Sequence, residues 1–557
     1  MLRKKGIILI FSSILVIVFL IITGAFFLSS VSEKKISDIE KDNLQALDLS
    51  EGGASQALVE LRKRVKKDLS DRVGSETNSA VFQAYVTSQD SLSFLRDWAY
   101  ETGDPQFSIS GSTASLSITP LSLSSVGNFS TVIEVKENGE PANPAAYVYE
   151  FPYKFEVIST GTITRDNVSK SIRLAKGEFK ITVQRGSFAR FALFTEHHRT
   201  EGGSTVWFSS NTNFTGPVST NERFSFANNP GPSFTKEVRQ VEQTARFYNR
   251  GSPVLVNSDH YLTRDVPTFQ EGFSRGVDAT DLPTSVTESD MKSEVLAGQA
   301  EPGSNGIYVI NDGSNVTGGI YVRGNSTISM GVDADNNPEY TIVQGTATRN
   351  IVVDYAGNTT EIDTNNDGTP DETYAGIPDV DAHEGIVIYN RGSITSLSGT
   401  VQEDTAMTVA SSSDLIIGGN VMYQDYTAAS PPNANGTENL LGIISWGGDV
   451  RIGVGCPNDV NIHGIVMAPS NGGEFKVDNY NSGSPRGTAT LLGGAIVDYY
   501  GAFGTFDSSG PRTGYGRSFV YDPRMLTGMA PPYFPVTTRF VSSEDGGLNN
   551  KLVWKEE

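Results

Sequence analysis

One cysteine, Cys456, stands in 557 residues, so no internal disulfide can form. Stability outside the cytoplasm would have to come from packing, hydrogen-bonded strands or metal. Charge is also scarce, at 19% of residues, and unbalanced: 64 acids against 43 bases leave a net charge of −21. That excludes non-specific nucleic-acid binding by the body as a whole, because neutralising phosphates takes clustered Lys and Arg. Histidines number only five. With no His-Glu-x-x-His pair, no Gly-x-Ser-x-Gly elbow and no nucleotide loop, the common catalytic signatures are missing. The expectation is a protein that binds and assembles, not an enzyme. What the chain has in quantity is glycine, 57 residues of it. Glycine-rich, charge-poor composition suits a turn-rich, mainly β protein, and the length exceeds one ordinary domain.

The other conspicuous feature is at the start. Arg3, Lys4 and Lys5 precede an apolar run from Gly6 to Leu28. That run makes a helix about 35 Å long, enough to cross a bilayer core. No small-residue cleavage site appears before Glu33. The basic residues place the N-terminal end in the cytoplasm and everything after Ser29 outside. Residues 1–28 therefore read as a basic leader and transmembrane segment. Helix-forming sequence continues to about Val73, with Gly52-Gly53 as its one weak point. Leu47, Ala54, Leu58, Leu61 and Val65 form an apolar stripe at helical period, so residues 29–73 read as an amphipathic continuation of the same helix.

Residues 74–185 carry an antiparallel β pattern from Phe107 to about Val183, with alternation in Ser115–Thr119, Ala146–Phe151 and Lys154–Ile158. Residues 186–535 change character. Short apolar runs bounded by glycine recur at Gly306–Asn311, Gly318–Gly324, Gly385–Tyr389, Leu415–Val421, Leu441–Gly448, Ile462–Met467 and Leu491–Val497. Inward Ile, Leu and Val stacking coil over coil, with glycine at the corners, would make a β-solenoid with hairpins leaving the coil. A β-sandwich is the competing architecture. Residues 536–557 hold two short possible strands, around Arg539–Val541 and Lys551–Trp554, expected to return to the first β region.

A long helix, apolar in its first half and amphipathic in its second, resembles the start of a type IV pilin. Gln45–Ala54 is similar to a segment seen in many minor pilins, and Gly6 followed by Ile7 resembles the prepilin peptidase site, where a basic leader is cut after glycine. The pattern departs at Phe11, where pilins usually carry a glutamate. Subunits resembling tip components tolerate that loss. An ordinary anchor that is never cut is the alternative. Further on, Arg185–Phe194, Phe214–Val218, Thr220–Phe226, Val477–Ser482, Tyr521–Leu526 and Pro531–Pro535 resemble a bacterial family of uncharacterised surface β-proteins. They are also similar to a competence-associated pilin with a β-solenoid inserted in its head. The resemblance implies a minor or tip component of a filament, partnered by the membrane, by other pilins or pilus assembly proteins, and by DNA or a surface ligand.

Four groups are candidate sites. Asp363, Asn365, Asp367, Gly368 and Asp371 match positions one, three, five, six and nine of an EF-hand-type loop, which with Thr369 points to Ca2+, although Tyr374 stands where the bidentate glutamate belongs. A polar hairpin tip is the other reading, and Asp333–Glu339 is a weaker version of it. Asp379, Asp381, His383 and Glu384 are the densest acid and histidine group, the place a solenoid carbohydrate enzyme would use. Glu196-His197-His198-Arg199 could bind metal, but adjacent histidines on a strand face opposite ways. Residues 181–250 run against the global charge, and Arg199, Arg223, Lys236, Arg239 and Arg246, interleaved with aromatics, are the candidate ligand-binding set. Stacking platforms beside bases suit DNA, while the same aromatics would serve a solenoid core. Cys456 reads as a small buried hydrophobe between strands, or else an intermolecular thiol.

Overall fold

In the computed structural model the described residues are 2–100, 107–118, 127–145, 147–163, 168–174, 177–209, 212–227, 232–249, 252–257, 267–380, 385–426, 438–507, 510–546 and 554–556. Helix α1, Leu2–Lys63, continues through a π-turn at Arg64–Asp68 into α2, Leu69–Val73. Its first part is exposed and apolar, with a mean hydropathy of 2.8 over an 18-residue window, and is long enough to cross a membrane. Ala46, Ala54, Leu58, Leu61, Val65, Leu69 and Val73 are buried along one stripe of the second part, while Leu47 is half-buried beside it. Gly52-Gly53 does not interrupt the helix. A Cβ on Gly53 would lie 2.5 Å from the Phe129 ring and 2.7 Å from the Thr131 and Ser159 hydroxyls. On the facing sheet, a Cβ on Gly161 would strike the Ala46 carbonyl oxygen. Backbone meets backbone here, and only glycine permits that approach.

The chain divides into two compact units. One comprises Met1–Arg185 with Arg539–Glu557, and the other is Gly186–Thr538. In the first, α1 and α2 lie on an antiparallel sheet of β1 (Phe107–Ser110), β2 (Thr113–Ile118), β3 (Gly127–Glu137), β4 (Ala142–Ala145), β5 (Val148–Ile163), β6 (Val168–Leu174) and β7 (Gly177–Ser187). Alternate residues of β3 and β5, including Ile133, Val135, Phe151, Tyr153, Phe155 and Val157, point into the core. Strand Val536–Gly546 pairs with β7 and strand Trp554–Glu556 with β6. Two short helices that the strand pattern does not announce complete this core: α3, Ser79–Ser88, and α4, Ser91–Ala99. Asn78 and Asp90 cap them by accepting backbone N–H bonds, and Phe94 of α4 stacks on Phe151 at 3.8 Å.

The second unit is built of parallel ladders. Ile320, Ile388, Val409, Ile443, Val466, Ala495, Leu193, Val218, Val238 and Phe273 pair in that order, one strand to the next. All but the terminal Phe273 are buried. Rungs about 4.8 Å apart make this column roughly 43 Å long. A second column runs Ile328, Leu397, Ile417, Ile452, Val477. Each glycine-bounded apolar run of the sequence is a strand, and all but Gly306–Asn311, which pairs antiparallel with Val316–Arg323, belong to these ladders. Hydrogen bonding passes continuously from strand to strand, and what it encloses is packed side chains. After Val332 the chain leaves the stack, and strands between Pro338 and Ala375 form an antiparallel meander on Ser326–Val332.

The order of rungs is not the order of the chain. Strand Leu193–His197, the first of the column to be made, sits between Pro485–Tyr499 and Val218–Thr220. The chain builds outward to Phe273–Arg275, then resumes at the opposite end with Val316–Arg323 and works back. The unit's two ends meet where the Phe188 N–H donates to the Pro535 carbonyl at 3.1 Å. A buried bidentate pair, Arg524 with Asp522 at 2.7 Å, anchors the returning segment, and Asn439 accepts from the same guanidinium.

Candidate functional site

The acidic loop 363–371 joins strands Thr359–Asp363 and Glu372–Ala375. Asp363 accepts N–H bonds from Asn365, Asn366 and Gly368 at 3.1, 2.5 and 2.7 Å, and Asp371 accepts from the Thr364 N–H and hydroxyl. Asp367 accepts from the Thr369 N–H at 3.0 Å. Burial pushes the Asp363 carboxyl up, but the N–H bonds from Gly368, Asn365 and Asn366 outweigh it and hold it below the usual range. The Asp371 carboxyl is held down by the Thr364 hydroxyl and N–H. Among the described residues, no three carboxylate, imidazole or thiol groups converge as metal ligands would. Asp363 and Asp371, at the two ends of the loop, are both engaged by the loop's own donors. The residues that a calcium loop needs also make Asx turns, and here they close on their own backbone. Asp333 likewise closes a hairpin turn, accepting N–H bonds from Asp335 and Asn337.

The basic stretch is answered by acids. Arg199 lies 3.0 Å from Glu222, Arg223 3.0 Å from Glu242, Lys236 2.5 Å from Glu271 and Arg239 4.0 Å from Glu237, while Arg246 donates to Thr205. The interleaved aromatics mostly face inward. Phe188, Phe191, Phe208, Phe214, Phe224, Phe226 and Phe247 are buried, and Phe214, Phe234 and Phe269 stack ring over ring at 5.8 and 5.5 Å. Their alternation belongs to the core, which removes most of the platform that DNA stacking would use. Trp207 and Tyr248 are half-buried and meet edge to face.

His197 and His198 do face opposite ways. His197 lies 3.6 Å from Glu222 and 3.9 Å from Asp498. His198 is enclosed by Phe208, Phe224 and Tyr500. Cys456 is buried, its thiol donating to the Ile417 carbonyl at 3.0 Å, and burial pushes that thiol up. Asp381, His383 and Glu384 lie outside the described residues, while Asp379 bridges to Ile386. Gly6 and Ile7 lie within α1, and Phe11 is exposed.

One feature of the second unit has no counterpart in the sequence reading. Helix α5, Ser285–Val295, is capped by Thr284 and buries Met291 and Val295 against the wall. Its polar stripe, Ser285, Glu288, Ser289 and Lys292, overhangs a cleft of about 260 Å3 whose other side is Tyr389, Arg391 and Ser412. The Tyr389 hydroxyl donates to Glu288 at 2.8 Å. Burial and that carboxylate push the Tyr389 phenol far up, so it stays a donor. Glu301 sits behind, paired with Arg391 and lying 3.6 Å from Arg323 and 3.8 Å from Lys292. The i, i+3, i+4, i+7 spacing of polar residues was the available signal.

A family model described as "Domain of unknown function (DUF4900)" matches residues 148–242, from β5 into the parallel ladder. No curated protein matches the chain. Among solved structures, the chain is similar to the competence-associated pilin ComZ from Thermus thermophilus. The identity is 12%, the TM-score 0.33, and the match covers 93% of this chain and 98% of that one.

Proposed function

We propose that this is a pilin-like, membrane-anchored surface protein, a minor or tip component of a type IV pilus-like filament, whose second unit is a β-solenoid presented for binding. The observation that carries the reading is the helix α1: its exposed apolar half runs unbroken into a half seated by glycine on an antiparallel sheet. Such a helix serves membrane residence first and filament packing afterwards. The solenoid would meet DNA, a surface or a partner protein. Because the bases of residues 199–246 are mostly paired with acids, DNA capture there would have to displace those acids, and a binding role without catalysis is the simpler reading. Phe11 favours a second reading, a surface protein that keeps its leader and never enters a filament.

The test is the N-terminal residue of the membrane-extracted protein, by mass spectrometry, with and without the cell's prepilin peptidase. A mature chain beginning at Ile7 only when the peptidase is present is the expected result. An intact N-terminus in both samples would overturn the pilus reading and leave an anchored solenoid.

A further inference from the structure

The cleft between α5 and the strand Ile386–Arg391 is polar on both sides, although α5 already has an apolar face with which to seat itself. Three serine hydroxyls line it, from Ser285, Ser289 and Ser412, beside the Tyr389 hydroxyl already given to Glu288. The Ser412 oxygen accepts the Gly392 N–H at 3.0 Å, which leaves its own hydrogen to donate. Lys292 and Arg391 supply positive charge, and Glu288, held by Tyr389, supplies an acceptor. Counting Arg323 and Glu301 behind them, three cations face two carboxylates, a local surplus of one in a chain of net charge −21.

We infer that this cleft binds a single acidic sugar residue, a uronic acid, as part of the binding role proposed above. One carboxylate matches the surplus charge, and a charge-assisted bond to Lys292, which lies 3.8 Å from Glu301 while Arg391 is closely paired with it, is the strongest contact available. The ring hydroxyls match serines that both donate and accept, and Glu288 accepts from a sugar O–H. A phosphate dianion brings too much charge and would face Glu288. A neutral sugar leaves the surplus unanswered. The volume is below the roughly 300–1,000 Å3 of drug-sized sites, which suits one monosaccharide.

The experiment is saturation-transfer NMR on the full-length protein in detergent, with galacturonic acid and galactose as probes, and 31P line broadening for inorganic phosphate, which has no carbon-bound hydrogen. Galacturonate should bind, with galactose weaker by about tenfold or more, the worth of one charge-assisted contact. Lys292→Gln should weaken galacturonate by a similar factor at an unchanged melting temperature. Ser289→Ala, a smaller change on the same stripe, should weaken it by less. No galacturonate signal up to about 20 mM, which is weaker than any useful site, overturns the inference. So do phosphate binding as well as galacturonate and unaltered binding by Lys292→Gln. A chain that begins at Ile7 but ignores galacturonate loses only this inference. One that keeps its leader yet binds galacturonate loses only the pilus.

Discussion

Replacing His198 by phenylalanine should make the second unit less sensitive to acid. His198 is 2% exposed, and neither ring nitrogen finds a hydrogen-bond partner among the described residues. Ring centroids of Phe208, Phe224 and Tyr500 lie 4.6, 4.7 and 5.4 Å away. Burial, reinforced by the Arg517 charge, lowers its pKa from 6.5 to about 3. The folded chain therefore keeps this ring neutral, while the unfolded chain protonates it below 6.5. Stability tied to the neutral ring is intact above pH 6.5 and drains away as the pH falls toward 3, at about 1.36 kcal/mol per pH unit. From neutrality to pH 5.0 the loss is about 2 kcal/mol. At neutral pH, relief of the unpaired nitrogens (about 1–3 kcal/mol each) opposes overpacking by the larger ring, of about the same size. The change with pH is thus the quantity that discriminates. Urea unfolding of the full-length protein in detergent at pH 7.5 and 5.0 would measure it. The parent should lose about 2 kcal/mol more than His198→Phe between the two. Equal losses, or a His198 ring resonance titrating near its ordinary pKa, would refute the reasoning.

Three further outcomes are expected. Gly161→Val should loosen α1 from its sheet by about 2–4 kcal/mol, since the side chain must enter backbone already in contact, and proteolysis within residues 40–73 would report it. Arg524→Met should cost about 3–5 kcal/mol by leaving the Asp522 carboxylate buried and unpaired, whereas replacing both by apolar residues should recover most of that; thermal unfolding of the single and double variants separates the two. Addition or chelation of Ca2+ should leave the melting temperature within about 1 °C, because appreciable stabilisation needs a site filled well above its Kd. A larger upward shift would show that loop 363–371 rearranges to hold the ion.

Much of the fold is local information, and that part is legible. Glycine-bounded runs such as Gly385–Tyr389 or Ile462–Met467 are strands because their β-branched residues can be buried on a wall that glycine lets turn. The stripe Ala54, Leu58, Leu61, Val65 declares a helix with one buried face. Rung order is not legible, because nothing in residues 193–197 names strand 485–499 as a neighbour. Helices α3 and α4 are shorter than the periodicity that announces a helix, although Asn78 and Asp90 were readable caps. The site residues divide by the same rule. Asp363 and Asp367 serve turn and ion equally well by spacing, and the structure shows the turn. The phenylalanines between Phe188 and Phe247 alternate as a binding face would, yet they alternate inward. The cleft beneath α5 needs residues 285–292 brought to residues 389–412, which spacing alone does not do.

The rung order sets a timetable. A chain delivered across a membrane from its N-terminus releases strand Leu193–His197 early, along with Val218–Thr220, its partner on one side only. The partner on the other side, Pro485–Tyr499, emerges some 290 residues later. Until then the middle of the wall has an open edge, and the far rungs have no base to settle on. Any chain that stops before residue 497 leaves that edge bare, a template for the wrong strand. Quality control is thereby written into the topology, because only a chain delivered past residue 497 can close the wall.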